Sequence, residues 1–262
     1  MKNNPNGIFD SGIGGTSIWK EIIKLLPNEN TIYLADSKNA PYGDKSPDEI
    51  ILVCKKNTEL LISKGCKIII VACNTATTNA IDYLRKNYHI PFIGIEPAIK
   101  PAALYSKTGA IGILATKGTL SSKLFEKTTR EYAKNITTIE QDGEGLVQLI
   151  EEGMLNTESL NQLLSTYLKP MLTFNIDHLV LGCTHYPYLI PQIKKIIGDD
   201  VKIIDSGEAV AKQTKSILEK NNILSTSLDK QNYQFYTNVQ PEVLKNILQD
   251  ISKNIKINKM DF

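Results

Sequence analysis

Short runs of β-branched and aliphatic residues alternate with longer amphipathic stretches along almost all of the 262 residues, and this alternation limits the fold more than any other feature. Strand-like runs fall at Gly7–Asp10, Thr31–Ala35, Lys67–Ala72, Phe92–Ile95, Ala110–Ala115, Ile136–Glu140, His178–Gly182, Val201–Asp205 and Tyr233–Thr237, with helical patterns between most of them. Two of the runs, Ile68-Ile69-Ile70-Val71 and Leu179-Val180-Leu181, are apolar without alternation. A strand reads that way when both of its faces are covered, as in parallel sheets flanked by helices. The pattern therefore predicts an α/β fold with mainly parallel sheets. One helix start is well marked. Ser46-Pro47-Asp48-Glu49 reads as a capping box with proline at the first helical position. Ile50, Val53, Cys54, Leu60 and Leu61 then share a face, and Gly65 stops the helix.

The chain also looks doubled. Cys73 follows the strand Lys67–Ala72 and Cys183 follows the strand His178–Gly182, and each strand comes after a long helical stretch, Thr157–Phe174 in the second case. Upstream, Gly7-Ile8-Phe9-Asp10-Ser11 is echoed by Gly112-Ile113-Leu114-Ala115-Thr116. Two comparable α/β halves facing each other, related by a pseudo-twofold axis, account for both echoes. The prolines in Glu96-Pro97 and Lys100-Pro101 should break regular structure at the join. The tail beyond Asp205 has no counterpart in the first half and should return to it. The expected domains are 1–97 with 207–262, and 98–206.

Composition narrows the function classes. A hydrophobic share of 42% with 22% charged residues is ordinary for a globular chain. The net charge of +2 gives no sign of a nucleic-acid or membrane-surface partner. No apolar run approaches the roughly 18 residues of a membrane helix, and Met1 to Phe9 lacks the apolar centre of a signal peptide. The cysteines Cys54, Cys66, Cys73 and Cys183 form no C-x-x-C pair. Free thiols without an export signal suit a reducing cytoplasm.

In parallel sheets ligands bind beyond the carboxyl ends of the strands. Cys73 stands there, followed by Asn74 and Thr75, both natural helix caps. The positive end of a helix is expected to favour its thiolate. Cys183 repeats the arrangement with Thr184 and His185 beside it. Cys54 and Cys66 read as small buried hydrophobes, and His89 and His178 as structural. The turn Asp10-Ser11-Gly12-Ile13-Gly14-Gly15 has neither the Rossmann glycine register nor a P-loop ending. Asp10 would suit an ammonium group, or a base acting on a thiol. Cysteine spacing does not match a metal site, and no nicotinamide or flavin fingerprint is present; pyridoxal phosphate stays open, although Lys100 and Lys117 have no evident phosphate loop beside them. Two matched thiols on facing domains can serve one carbon from both sides. One removes a proton from one face, and the other returns a proton to the opposite face. A cysteine hydrolase with Cys183 as nucleophile and His185 as base is a rival reading, but it leaves Cys73 unexplained.

Five segments together, Gly7–Gly15, Ala35-Asp36 with Pro41-Tyr42-Gly43, Ala72–Ala76, Glu96–Ala102 and Leu181–Pro187, resemble the cofactor-independent glutamate racemases. The resemblance implies interconversion of L- and D-glutamate, supply of D-glutamate for peptidoglycan, two α/β domains with the site between them, and a homodimer. It makes Cys73 and Cys183 the two proton donors and acceptors, with Asp10 and His185 assisting. It gives Asp10, Ser11, Tyr42, Gly43, Asn74, Thr75, Thr184 and His185 contacts to the substrate. The wider family includes racemases of aspartate and related amino acids, which remain an alternative. Many members of the family carry a cysteine and prolines where this chain reads Gln141-Asp142-Gly143-Glu144-Gly145-Leu146-Val147-Gln148, while Glu151 keeps an acidic position.

Overall fold

Two parallel sheets carry the chain in a computed structural model that describes residues 2–227, 231–249, 251 and 254–262. The strands are β1 (Asn6–Asp10), β2 (Thr31–Ala35), β3 (Ile68–Val71), β4 (Phe92–Gly94), β5 (Ala110–Ala115), β6 (Thr137–Asp142), β7 (His178–Gly182), β8 (Lys202–Ile204), β9 (Tyr233–Thr237) and β10 (Ile255–Lys259). One sheet has the order β10-β9-β2-β1-β3-β4 and the other β6-β5-β7-β8. All of the pairings are parallel. The orders β2-β1-β3-β4 and β6-β5-β7-β8 are the same path traced twice, so the sequence echoes correspond to a repeated topology. β9 and β10 extend the first sheet.

Alternation within the apolar strands explains why both faces of each sheet are covered. In the first sheet Ile8, Tyr33, Ile68 and Ile70 point to a core that includes Trp19, Ile22 and Phe235. Their neighbours Phe9, Leu34, Ile69 and Val71 point to the other face, against Cys54, Leu61, Ala80 and Leu84. In the second sheet Leu114, Leu179 and Leu181 meet Leu160, Leu164 and Leu168 of the helix Glu158–Leu172, whose i, i+4, i+8 spacing lays one apolar stripe on the sheet. Ile111, Ile113 and Val180 meet Ala102 and Phe125 on the opposite side. Each such side chain withdrawn from water contributes about 1.5–3 kcal/mol. Among the described residues no helix is long and apolar enough to cross a membrane.

The capping box forms as expected. Ser46 caps the helix Pro47–Ser63, its hydroxyl accepting from Glu49 N–H while the Glu49 carboxylate accepts from Ser46 N–H at 2.8 Å. Gly65 ends the turn at φ +77°, a conformation that favours glycine. Two expectations need correction. Pro101 does not break structure: it lies in the first turn of the helix Ile99–Tyr105, where a missing N–H costs no helical bond. The strand β10 was not expected at all.

Candidate active site

The sheets point their carboxyl ends toward one small cavity. Ser11 follows β1, Cys73, Asn74 and Thr75 follow β3, Thr116 follows β5, and Cys183, Thr184 and His185 follow β7; all of them line it, together with Pro41, Tyr42, Gly43 and Val147. The cavity and its opening hold about 250 Å³ of empty space, of which the centre of a water molecule can reach only about 10 Å³. That is room for about one water. Both sulfurs face the same space from different sheets.

Cys73 sits in extended backbone at the N-cap of the helix Asn74–Asn87, and its Sγ accepts from Ala76 N–H at 3.5 Å. Its thiol donates to Ser11 Oγ at 3.7 Å. The helix end was expected to lower its pKa. Instead burial pushes the Cys73 thiol well above the usual range, and the Asp10 charge adds to the rise; the Ala76 N–H offsets only part of it. Burial beside Asp10 thus favours the protonated thiol at Cys73. Burial has the same effect elsewhere: it raises Cys54, and pushes Cys66 up to about 12, in keeping with inert core thiols.

Asp10 is fully buried behind the cavity and does not line it. Its Oδ2 accepts from Gly12 N–H at 3.1 Å and Gly15 N–H at 2.9 Å, and its Oδ1 accepts from the Thr184 hydroxyl at 3.2 Å. Burial raises its pKa while the His185 charge opposes the rise. The glycine turn thus wraps a carboxylate that belongs to the protein and is no phosphate cradle.

Cys183 Sγ lies 3.7 Å from His185 Nδ1, and His185 Nε2 lies 2.6 Å from Glu151 Oε1. Burial opposes charge on the ring, but the bonds to Cys183 and Glu151 outweigh it and hold His185 well above the usual imidazole range. Glu151 does more. Its Oε1 accepts from Ile13 N–H at 2.6 Å and its Oε2 from the Ser37 hydroxyl at 2.6 Å. Close approach explains two glycines here. A Cβ at position 12 would fall 1.9 Å from Glu151 Oε1, and one at position 14 would fall 2.2 Å from His185 Nδ1.

Other groups are held from farther away. Tyr42 donates to Asp36 Oδ2 at 2.5 Å, and Asp36 Oδ1 accepts from Asn39 at 2.7 Å and from Asn238 at 2.6 Å. Asn238 follows β9, so the late segment helps fix the loop that bears Tyr42 and Gly43. Thr75, Thr116 and Thr119 join their hydroxyls across the cleft, with Thr75 Oγ1 2.8 Å from Thr116 Oγ1 and 3.2 Å from Thr119 Oγ1. Asn74 is 2% exposed, yet neither polar atom of its side chain has a partner. Buried amides are almost always satisfied, and this unsatisfied one lines the cavity.

The expected site residues thus converge, with Asp10 one layer behind the cavity wall. Glu151, Asp36, Thr116 and Val147 are additions. The acidic residue at 151 was visible in the sequence, but nothing there placed it against His185. His178 is structural, as expected: its Nδ1 lies 2.8 Å from Asp177 Oδ1 at the far end of β7.

Paired thiols at matching strand ends of a repeated parallel fold define a class of α/β isomerase, and sequence comparison agrees. The family described as Asp/Glu/Hydantoin racemase matches residues 13–214, and the chain belongs to it. A glutamate racemase of Herpetosiphon aurantiacus is 41% identical over 241 residues, covering 92% of this chain and 95% of that protein. Among solved structures, a glutamate racemase isoform from Bacillus anthracis superposes with a TM-score of 0.89 at 32% identity, covering 100% of this chain and 99% of that one. The glutamate racemase of Francisella tularensis in complex with D-glutamate gives 0.84 at 33% identity, with 98% of each chain covered.

Proposed function

We propose that this chain is a glutamate racemase that moves the α-proton of glutamate with two cysteines and no cofactor. The observation that carries the reading is the pair of sulfurs, Cys73 and Cys183, on the wall of one cavity and supplied by separate sheets. The 41% identity to a glutamate racemase over most of both chains supports glutamate as the substrate. One sulfur, as thiolate, takes the proton from one face of Cα. The other, as thiol, gives a proton to the opposite face. The sulfurs end with their protonation exchanged, so the enzyme is set for the mirror-image reaction.

Asp10 and His185 tune the two sulfurs, Asp10 on the Cys73 side and His185 on the Cys183 side. Ser11, Tyr42, Gly43, Asn74, Thr75, Thr184 and His185 hold the substrate, with Asp10 contributing its charge. Backbone and hydroxyl groups at the helix start beyond Cys73 suit the α-carboxylate. The unpartnered Asn74 amide supports a binding role at that end. Residues 1–97 with 207–262 form one domain and 98–206 the other, a division supported by which strands share a sheet. They part to admit glutamate and close on it. The family resemblance supports a cytoplasmic homodimer that supplies D-glutamate for peptidoglycan.

Optical rotation of L-glutamate, with L-aspartate alongside, incubated with purified protein and no added cofactor, tests the substrate assignment. Decay of the glutamate signal to zero, with aspartate slower, is the expected result. Faster loss from aspartate would move the protein to another branch of the family, and loss from neither would end the reading.

A further inference from the structure

Most of the polar wall of the cavity leaves a strand end directly. Ser11 follows β1, Asn74 and Thr75 follow β3, and Thr184 follows β7, so the sheets set their positions. Tyr42 and Gly43 are different. They belong to a short 3₁₀ turn, Tyr42–Asp44, well past the end of β2 at Ala35. The first N–H groups of such a turn have no acceptor inside it, and here they belong to Tyr42 and Gly43. A buried carboxylate fixes this loop. Asp36 is 2% exposed and does not line the cavity. Its own N–H donates to Asp10 O at 3.1 Å. Its oxygens accept from Tyr42 at 2.5 Å, Asn39 at 2.7 Å and Asn238 at 2.6 Å. Asn238 Oδ1 also accepts from Lys38 N–H at 2.8 Å, which ties the late segment to the loop a second time. The Tyr42 hydroxyl in turn accepts from Asn57 of the helix Pro47–Ser63 at 3.2 Å. A hydroxyl has one proton to donate. That of Tyr42 is spent on Asp36, which leaves the backbone of Tyr42 and Gly43 to address a ligand. Burying a carboxylate is costly unless donors surround it, and bonds to an ionised oxygen are short and strong.

We propose that Asp36, joined to the late segment by Asn238, is a positioning residue that acts through the Tyr42 hydroxyl to set where the Tyr42–Gly43 backbone stands in the cavity, and so the length of amino-acid side chain the site accepts. The inference rests on the two-thiol reading above. That reaction fixes the reacting carbon between Cys73 and Cys183. With Cα held there and the α-carboxylate at the helix start beyond Cys73, the reach to the far carboxylate decides which dicarboxylic amino acid fits. The loop is the wall that meets this far end. Its inward limit is set from the second sheet, because a Cβ at position 43 would fall 3.1 Å from Thr116 Cβ. Its outward limit is set by the bond from Tyr42 to Asp36. Glutamate and aspartate differ by one methylene, which a fitted pocket turns into about 10–200-fold discrimination. A loop released from Asp36 loses that fit. Asp36 touches neither substrate nor reacting carbon in this scheme, and acts only through Tyr42.

The test compares the wild-type protein with Asp36→Asn, Tyr42→Phe and the double variant. Racemisation of L-glutamate is followed by circular dichroism, α-proton exchange of L-aspartate in D₂O by NMR, and thermal unfolding is recorded on each sample. For Asp36→Asn the KM for glutamate should rise about tenfold with kcat within about threefold of wild type, because a contact to the far carboxylate is made in the ground and transition states alike. The ratio of glutamate to aspartate turnover at low substrate should fall about tenfold. Tyr42→Phe deletes the same bond and leaves the carboxylate with Asn39 and Asn238. It should move both readouts in the same direction, and supplies the test if Asp36→Asn folds poorly. The double variant should be no worse than the worse single one, since both act through one bond. Equal losses for glutamate and aspartate, a loss confined to kcat, aspartate exchange that stays undetectable in the variants, no change at all, or losses that multiply in the double variant would each overturn the assignment while leaving racemisation intact. Absence of racemisation in the wild-type protein would instead overturn the functional reading itself.

Discussion

Replacing Gly14 by alanine isolates the part played by His185 without altering a titratable group. The added methyl would lie 2.2 Å from His185 Nδ1 and 2.5 Å from its Cγ. Side-chain carbons do not approach ring atoms that closely, and the ring must retreat by roughly 1 Å. His185 is 1% exposed and held by Glu151 at 2.6 Å, so the retreat breaks its contact with Cys183 and does not go into open space. A displacement of about 1 Å in a group that must move a proton costs on the order of 10²-fold in rate, equivalent to about 2.7 kcal/mol of barrier. The assay is racemisation followed by circular dichroism from each enantiomer, with thermal unfolding recorded on the same sample. A folded Gly14→Ala protein with kcat lowered about 10²-fold from both enantiomers is expected. A folded variant within about threefold of wild type would mean that the position of His185 is not rate-determining, and the argument from this contact would fail.

Three further substitutions test the fold. Lys67→Met leaves Glu29 buried without the ammonium that lies 2.6 Å from it, at side-chain exposures of 1% and 2%; removing one partner of such a pair should cost about 3–5 kcal/mol in urea unfolding, with activity per folded molecule retained because the pair lies at the opposite end of β3 from Cys73. Ser46→Ala removes the capping box and should cost about 1 kcal/mol, read as a lower urea midpoint at unchanged slope. Asp177 is held below the usual carboxylate range: burial opposes this, but the bond from His178 and the N–H groups of Lys107 and Thr108 prevail. Its folded pKa lies below its unfolded one, so its contribution is complete above about pH 4 and is lost as pH falls through the folded value. Asp177→Asn should therefore be less stable at pH 7, and its stability should fall less than that of wild type on acidification from about pH 5 to pH 2.

The strands that carry the site were legible because burial on both faces leaves an unbroken apolar record, as in Ile68–Val71. The helix after Ser46 was legible because its cap is built from adjacent residues. β10 escaped because it is an edge strand: only Ile255 and Ile257 of Ile255–Lys259 carry an apolar signal, and the lysines that shield an exposed edge make the rest read as surface. Pro101 misled because proline in a first turn and proline that ends a helix look alike in one dimension.

The site divides in the same way. Cys73, Asn74, Thr75, Cys183, Thr184 and His185 follow directly from strand ends, so position alone marked them. Glu151 reaches His185 from the helix Leu146–Glu151, and Asn238 reaches Asp36 from beyond β9. These pairings are set by how the second sheet and the late strands pack, which no local pattern records. The thiol of Cys73 marks the limit of local electrostatic reasoning. A helix N-terminus lowers a cysteine pKa when the sulfur is solvated, but here full burial beside Asp10 decides the sign.

In the proposed reaction two sulfurs serve one carbon from opposite sides. Incubating L-glutamate in D₂O with the wild-type protein, Cys73→Ala and Cys183→Ala, and recording both enantiomeric composition and α-deuterium, tests it most directly. The two-sulfur reaction requires deuterium at Cα of the D-glutamate formed by the wild type, and no racemisation by either variant. D-Glutamate appearing at the wild-type rate with either sulfur gone, or carrying only the original proton, would contradict it.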